Sequence, residues 1–137
     1  MIHLDITTKM QINVPKEEVF EAFVNPDQIN GFWFSSSSER WESGKTITLR
    51  YEEYNAEIEI RIESIKENNL IKFTWGEQSV VIQFENEGQT TIVTTVEKDL
   101  EDTDTERLLA QKEGWVYMLS CLKAYIEHGV KIRGALL

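Results

Sequence analysis

Residues 104–129 carry one long amphipathic pattern, and almost everything before them reads as strands. Leu108, Trp115, Met118, Leu119, Leu122 and Ile126 recur at three- and four-residue intervals, while Arg107, Lys112, Glu113 and Lys123 fall mostly off that stripe. Thr103 and Glu106 have the spacing of a capping box, and Gly129 after Glu127 and His128 marks a stop. At about 1.5 Å per residue this helix spans roughly 35 Å, the width of a sheet in a domain of this size. Its apolar stripe must be buried, and a sheet is the natural partner.

The rest of the chain supplies that sheet. Ile2, Leu4, Ile6, Met10 and Ile12 alternate with His3, Asp5, Lys9 and Gln11, the period of a strand with one wet and one dry face. Pro15 suits the first turn of a short helix bearing Val19, Phe20 and Phe23, and Asn25-Pro26 with Gln28 starts a second one leading to Phe32 and Trp33. Ser35 to Ser38 reads as a polar loop. Residues 39–42, 46–52, 56–66, 70–75, 79–85 and 90–98 then have strand character, broken only by short punctuators such as Asn68-Asn69 and Glu87-Gly88. Connections this tight favour antiparallel neighbours over parallel crossovers. The expected class is α+β: a strand, two short helices, six strands and a long closing helix.

With 137 residues and 41% hydrophobic content, the chain is expected to form a single domain over residues 1–137. The lone Cys121 cannot form an internal disulfide, and no apolar run is long enough for a signal peptide or membrane span, which points to the cytoplasm. Fourteen basic against twenty-four acidic residues leave a formal charge of −10. That balance repels phosphate backbones and anionic headgroups, so neither nucleic acid nor membrane insertion is expected. Oligomeric state is left open between monomer and homodimer.

A straight helix laid across a strongly bent sheet rarely closes flush, so a hollow between them is expected. Its candidate walls are Trp41, Leu49, Tyr51, Ile58, Ile60, Phe73, Trp75, Ile82 and Phe84 from the dry face of the sheet. Trp115, Met118, Leu119 and Leu122 cover it from the helix, and Phe32 and Trp33 lie at one end. Tyr51, Tyr54 and Tyr117 offer polar contacts inside such a groove. An inward-pointing cation among Arg50, Arg61 and Lys72 would anchor a ligand carboxylate or phenolate; on the wet face the three would only balance acidic surface. Gly114 sits inside the helix, where it costs up to about 1 kcal/mol relative to Ala. Close approach of a neighbouring backbone is the favoured explanation, and room for a ligand beside Trp115 is the other.

Glu113-Gly114-Trp115, continued by Met118, Leu119, Leu122 and Glu127, resembles the family related to the C-terminal domain of the activator of heat-shock protein 90 ATPase. The resemblance extends over the opening strand, residues 15–20, Asn25-Pro26 leading into Trp33, and Phe73-Thr74-Trp75. It implies the START-like, birch-allergen-like helix-grip fold of the SRPBCC superfamily, whose members use the groove beneath the last helix for lipids, sterols, polyketides, flavonoids and other apolar molecules. By that implication the chain binds a small hydrophobic molecule without chemistry, in a role related to stress. The alternatives are a chaperone-interacting module and, by analogy within the superfamily, a cyclase- or hydrolase-type enzyme.

No motif of its own points to catalysis or a cofactor. Glu97, Asp99, Glu101, Asp102, Asp104 and Glu106 lack the glycine of a calcium loop, since Arg107 stands at the sixth position counted from Asp102, and they read as a solvated turn. His3 and His128 have no zinc-like spacing to other ligands. Cys121, beside the apolar stripe, reads as a small buried residue with no basic partner to activate it. No nucleophile elbow, phosphate-binding glycine loop or arguable pair of carboxylates is present.

Overall fold

Strand β1 (His3–Ile12) leads into helix α1 (Lys16–Val24), a single 3-10 turn (Ile29–Gly31), β2 (Ser36–Ser37) and β3 (Thr46–Tyr51). After a second such turn (Glu52–Tyr54) come β4 (Ala56–Lys66), β5 (Leu70–Trp75), β6 (Gln78–Glu87), β7 (Thr90–Glu101) and helix α2 (Thr105–His128). This computed structural model describes residues 2–135. The seven strands form one curved antiparallel sheet in the order β1-β7-β6-β5-β4-β3-β2, gripped against α2. The fold is the α+β helix-grip architecture expected from the strand series and the long last helix.

Alternation drives the sheet. In β4, Ile58, Ile60 and Ile62 alternate with Glu57, Glu59, Arg61 and Glu63, so the isoleucines turn to the concave face and the charges to water. Ile47 and Leu49 of β3, Ile71 and Phe73 of β5, and Val80, Ile82 and Phe84 of β6 extend that face into a buried core. Helix α1 closes one end, with Phe20 and Phe23 edge-on to Phe84.

Helix α2 also shields an open edge. β1 ends the sheet, and its outward carbonyls would be free to pair with another chain. Lys112 Nζ donates to the Thr7 carbonyl at 2.7 Å and Lys123 Nζ to that of Gln11 at 2.8 Å. Glu127 accepts from the Asn13 N–H at 3.0 Å. Near its last turns the helix packs against the 3-10 turn: Phe32 stacks on Tyr125, and a Cβ on Gly31 would run into the Tyr125 ring. Gly129 ends the helix in the left-handed conformation, φ 68°, as its position in the sequence implies.

Local details differ from the sequence reading. Residues 39–42 are not a strand; the short β2 lies instead within the serine segment expected to be loop. Trp41 is the reason: its buried ring and its N–H bond to the Val24 carbonyl hold the segment against α1, while the Ser35 and Ser38 N–H groups pair with the Arg50 and Thr48 carbonyls of β3. The second short helix shrinks to one 3-10 turn. The N-cap of α2 is Asp104, whose Oδ1 accepts from the Arg107 N–H at 3.1 Å, and Thr103 lies outside the helix. Glu97 is not part of a solvated turn, because β7 runs on to Glu101 and buries it completely.

Candidate functional site

Strand register builds the floor beneath α2. Ile60 lies opposite Trp75, Trp75 opposite Gln78, and Val80 opposite Glu97, so these five share the concave face. Trp115 of α2 stacks on Trp75 with ring centroids 5.4 Å apart. Trp33 enters from the far side, edge-on to Trp115 at 5.7 Å and to Trp75 at 6.3 Å.

Three adjoining hollows remain between sheet and helix. The first, about 200 Å³, lies among Trp33, Tyr51, Tyr117 and Met118 and is covered by Arg133 and Gly134 of the tail after α2. The second, about 150 Å³, is bounded by Trp33, Trp75, Gly114 and Trp115. The third, about 510 Å³ and open to solvent, runs between Phe34, Ile58 and Trp75 on one side and Arg107 and Gln111 on the other. Tyr51 borders all three; Trp33, Gly114 and Met118 separate the first from the second, and Trp75 and Gln111 the second from the third. They are segments of one groove partitioned by side chains. Gly114 lines two of them, and nothing lies within 4 Å of where its Cβ would stand. The favoured sequence explanation, a neighbouring backbone pressed against it, does not hold.

Seven of the wall residues expected from the sequence border this groove: Phe32, Trp33, Tyr51, Ile58, Trp75, Trp115 and Met118. Leu49, Ile60, Phe73, Ile82, Phe84, Leu119 and Leu122 point the same way but are sealed in the core around it. Trp41 lies at a separate surface hollow with Arg40 and Ser43. Tyr54 and Tyr117 line the first hollow, as a polar role requires. Arg50, Arg61 and Lys72 all stay on the wet face; Arg50 pairs with Glu57 at 3.2 Å and Lys72 with Glu63 at 3.6 Å.

The charged groups that do line the groove, among the described residues, are Glu53, Glu97, Arg107 and Arg133. Glu97 accepts from Gln111 Nε2 at 3.0 Å on both carboxylate oxygens and from the Trp115 indole at 2.8 Å. Arg133 donates to the Trp33 carbonyl and to Ser35 Oγ, both at 3.1 Å, and pairs with Glu53. The tail is further held by Tyr117, whose hydroxyl donates to the Ile132 carbonyl and accepts from the Ala135 N–H. The alternation Thr91, Val93, Thr95 already places Glu97 inward, a signal hidden by the acidic residues that follow it. Nothing in the spacing announces Arg133, which reaches the groove only because the chain folds back after Gly129.

The environment sets the ionisation of these groups. Burial pushes the Tyr51 phenol far above its ordinary value of 10.0, with a hydrogen bond donated by the Trp33 indole and the charge of Arg133 opposing only part of the shift. Burial likewise raises the Cys121 thiol above its ordinary value, so it stays a packed, unactivated group. Burial would raise the Glu53 carboxyl, but backbone, Arg133 and Ser35 hydrogen bonds outweigh it and hold the group below its ordinary range. Among the described residues, no cluster of three or more His, Cys, Asp or Glu is arranged to hold a metal ion, and no helix is long and apolar enough to cross a membrane.

The same framework recurs in solved structures. Protein SSP2350 from Staphylococcus saprophyticus is 66% identical, with a TM-score of 0.93 over 96% of this chain and 98% of that one. DynU16, from the dynemicin biosynthetic locus, is 17% identical with a TM-score of 0.85, covering 93% of this chain and 48% of that one. The Aha1 dimer from Colwellia psychrerythraea is 18% identical with a TM-score of 0.83, covering 92% of this chain and 98% of that one. The latter two show a common fold. No protein of curated function matches the chain. The model of one family, however, matches residues 13–127, which take in the 3-10 turn, the sheet floor and nearly all of α2, and the chain accordingly belongs to the Activator of Hsp90 ATPase homolog 1-like proteins.

Proposed function

We propose that this protein binds a small apolar or aromatic molecule in the groove between α2 and the concave face of the sheet. The observation that carries the reading is Gly114: a helix-interior glycine that costs up to about 1 kcal/mol, with open space over it, between two hollows walled by Trp33, Trp75 and Trp115. A packing role would have placed a neighbour there. The rings offer flat, water-excluding walls with few polar groups, the usual composition of a small-molecule site. Wall side chains such as Trp33 and Met118 would shift to join the hollows around a larger ligand. Titration with flavonoids, sterols and fatty acids, followed by tryptophan fluorescence, tests the reading directly. Saturable change with one class supports it, and a spectrum unresponsive to every class sinks it.

A second reading, a chaperone-interacting module, draws on the description of the family and on the formal charge of −10. It predicts association with a basic partner surface that weakens steeply with salt. Recovery of no chaperone from lysate at low ionic strength removes it.

A further inference from the structure

Two acceptors at the inner end of the groove have unused hydrogen-bonding capacity. Gln78 Oε1 is shut off from solvent and has no partner among the described residues. Glu97 is fully buried; its Oε1 takes bonds from Gln111 and Trp115, and its Oε2 takes one from Gln111. A carboxylate has about four lone-pair sites, so one on Oε2 is still available. Both residues line the third hollow, beside the rings of Phe34, Tyr51 and Trp75. Register makes this a built arrangement: Gln78 stands directly across from Trp75 and, two residues from Val80, diagonal to Glu97.

We infer that this end of the groove selects aromatic molecules presenting a hydrogen-bond donor, an O–H or an N–H, and rejects the same molecules with that donor blocked. The inference rests on the groove being the binding site. A ring between Tyr51 and Trp75 satisfies the apolar walls, and a donor on its inner edge supplies the partner that Gln78 Oε1 lacks once the side-chain amide turns toward the hollow. An acceptor there would set lone pair against lone pair and leave a buried oxygen unpaired. Arg107, exposed at the outer rim on the first turns of α2, is not required for this selection.

The test uses matched pairs: 2-naphthol against 2-methoxynaphthalene for the O–H, and indole against 1-methylindole for the N–H. Each is titrated into the intact protein while the indole N–H resonances are followed by NMR, Trp115 being the one bonded to Glu97. The expected result is at least roughly tenfold tighter binding of the free donor in one or both pairs, abolished by Gln78→Met, which keeps the length of the side chain but removes the oxygen. Preference in only one pair tells which donor the site takes. Equal binding within both pairs overturns the donor selection but leaves the groove as an apolar site. A preference that survives in Gln78→Met overturns the role of Gln78. Shifts from none of the four overturn both the groove reading and this inference. The comparison of pairs is made in the unaltered protein, so it decides even where Gln78→Met does not fold.

Discussion

Glu97 ties α2 to the sheet, since its buried carboxylate is answered by Gln111 and Trp115, both side chains of the helix. A hydrogen bond to a charged group is worth about 1.5–3 kcal/mol, and an acceptor left bare in the interior costs more than the bond returned. Trp115→Phe keeps most of the ring but removes the indole N–H, and is expected to lower unfolding free energy by about 2 kcal/mol in urea denaturation. A change below about 0.5 kcal/mol would show that the contact is dispensable. Gly114 makes the opposite prediction. Because, beyond the helix's own backbone, no atom lies within 4 Å of its Cβ position, Gly114→Ala should stabilise by up to about 1 kcal/mol and raise the melting temperature by a few degrees. Most of the aromatic groove wall was legible at this scale, because Trp33, Tyr51, Trp75 and Trp115 follow from the order of elements and the alternation of strands. The polar groups were less so. Glu97 sits in phase with Thr95 but is followed by Asp99, Glu101 and Asp102, and composition outvoted periodicity.

Among elements, α2 both covers the groove and covers the β1 edge. Lys112 and Lys123 carry that second duty, and replacing both by Met should speed amide exchange along β1 while leaving β5 and β6, at the centre of the sheet, protected. Uniform exchange across the sheet would contradict this division. The seat of α2 on the 3-10 turn is equally specific: Gly31→Ala pushes a methyl into Tyr125 and is expected to destabilise by about 1–3 kcal/mol, whereas the same substitution at Gly114 does the reverse. The long helix and strand β4 could be read from the sequence almost residue for residue, because each has its own period and marked ends. The segment around Trp41 could not. Its β-like composition is overridden by one tryptophan fitted against α1, and only tertiary packing shows that the pairing with β3 falls to Ser36 and Ser37 instead.

For the whole molecule, four carboxyls among the described residues stand below their ordinary value of 4.5: Glu21 through its hydrogen bonds from Arg40, Glu42 through its hydrogen bond from Lys45, and Glu53 and Glu127 because hydrogen bonds from Arg133 and from Lys123 and Asn13 outweigh the opposing effect of burial. A carboxyl depressed in the folded state stabilises it fully above the unfolded value, and that stability is lost as pH falls through the folded value. The urea midpoint should therefore hold from neutral pH down to about 5 and fall steadily below about 4.5, with a shallower fall in Arg133→Met, which frees Glu53 and the tail. A midpoint unchanged to about pH 3 would contradict it. The sheet, the helix above it and the tail folded back beneath Tyr117 together leave a groove that a glycine keeps open. Calorimetric titration of flavanone, whose linked rings can extend past Trp75 into the hollows that Gly114 lines, into the wild-type protein and into Gly114→Leu tests that most directly. Binding to the wild type should weaken at least roughly tenfold in the variant, whose melting temperature stays at or above that of the wild type. Equal affinity in the two proteins would mean that the ligand sits elsewhere.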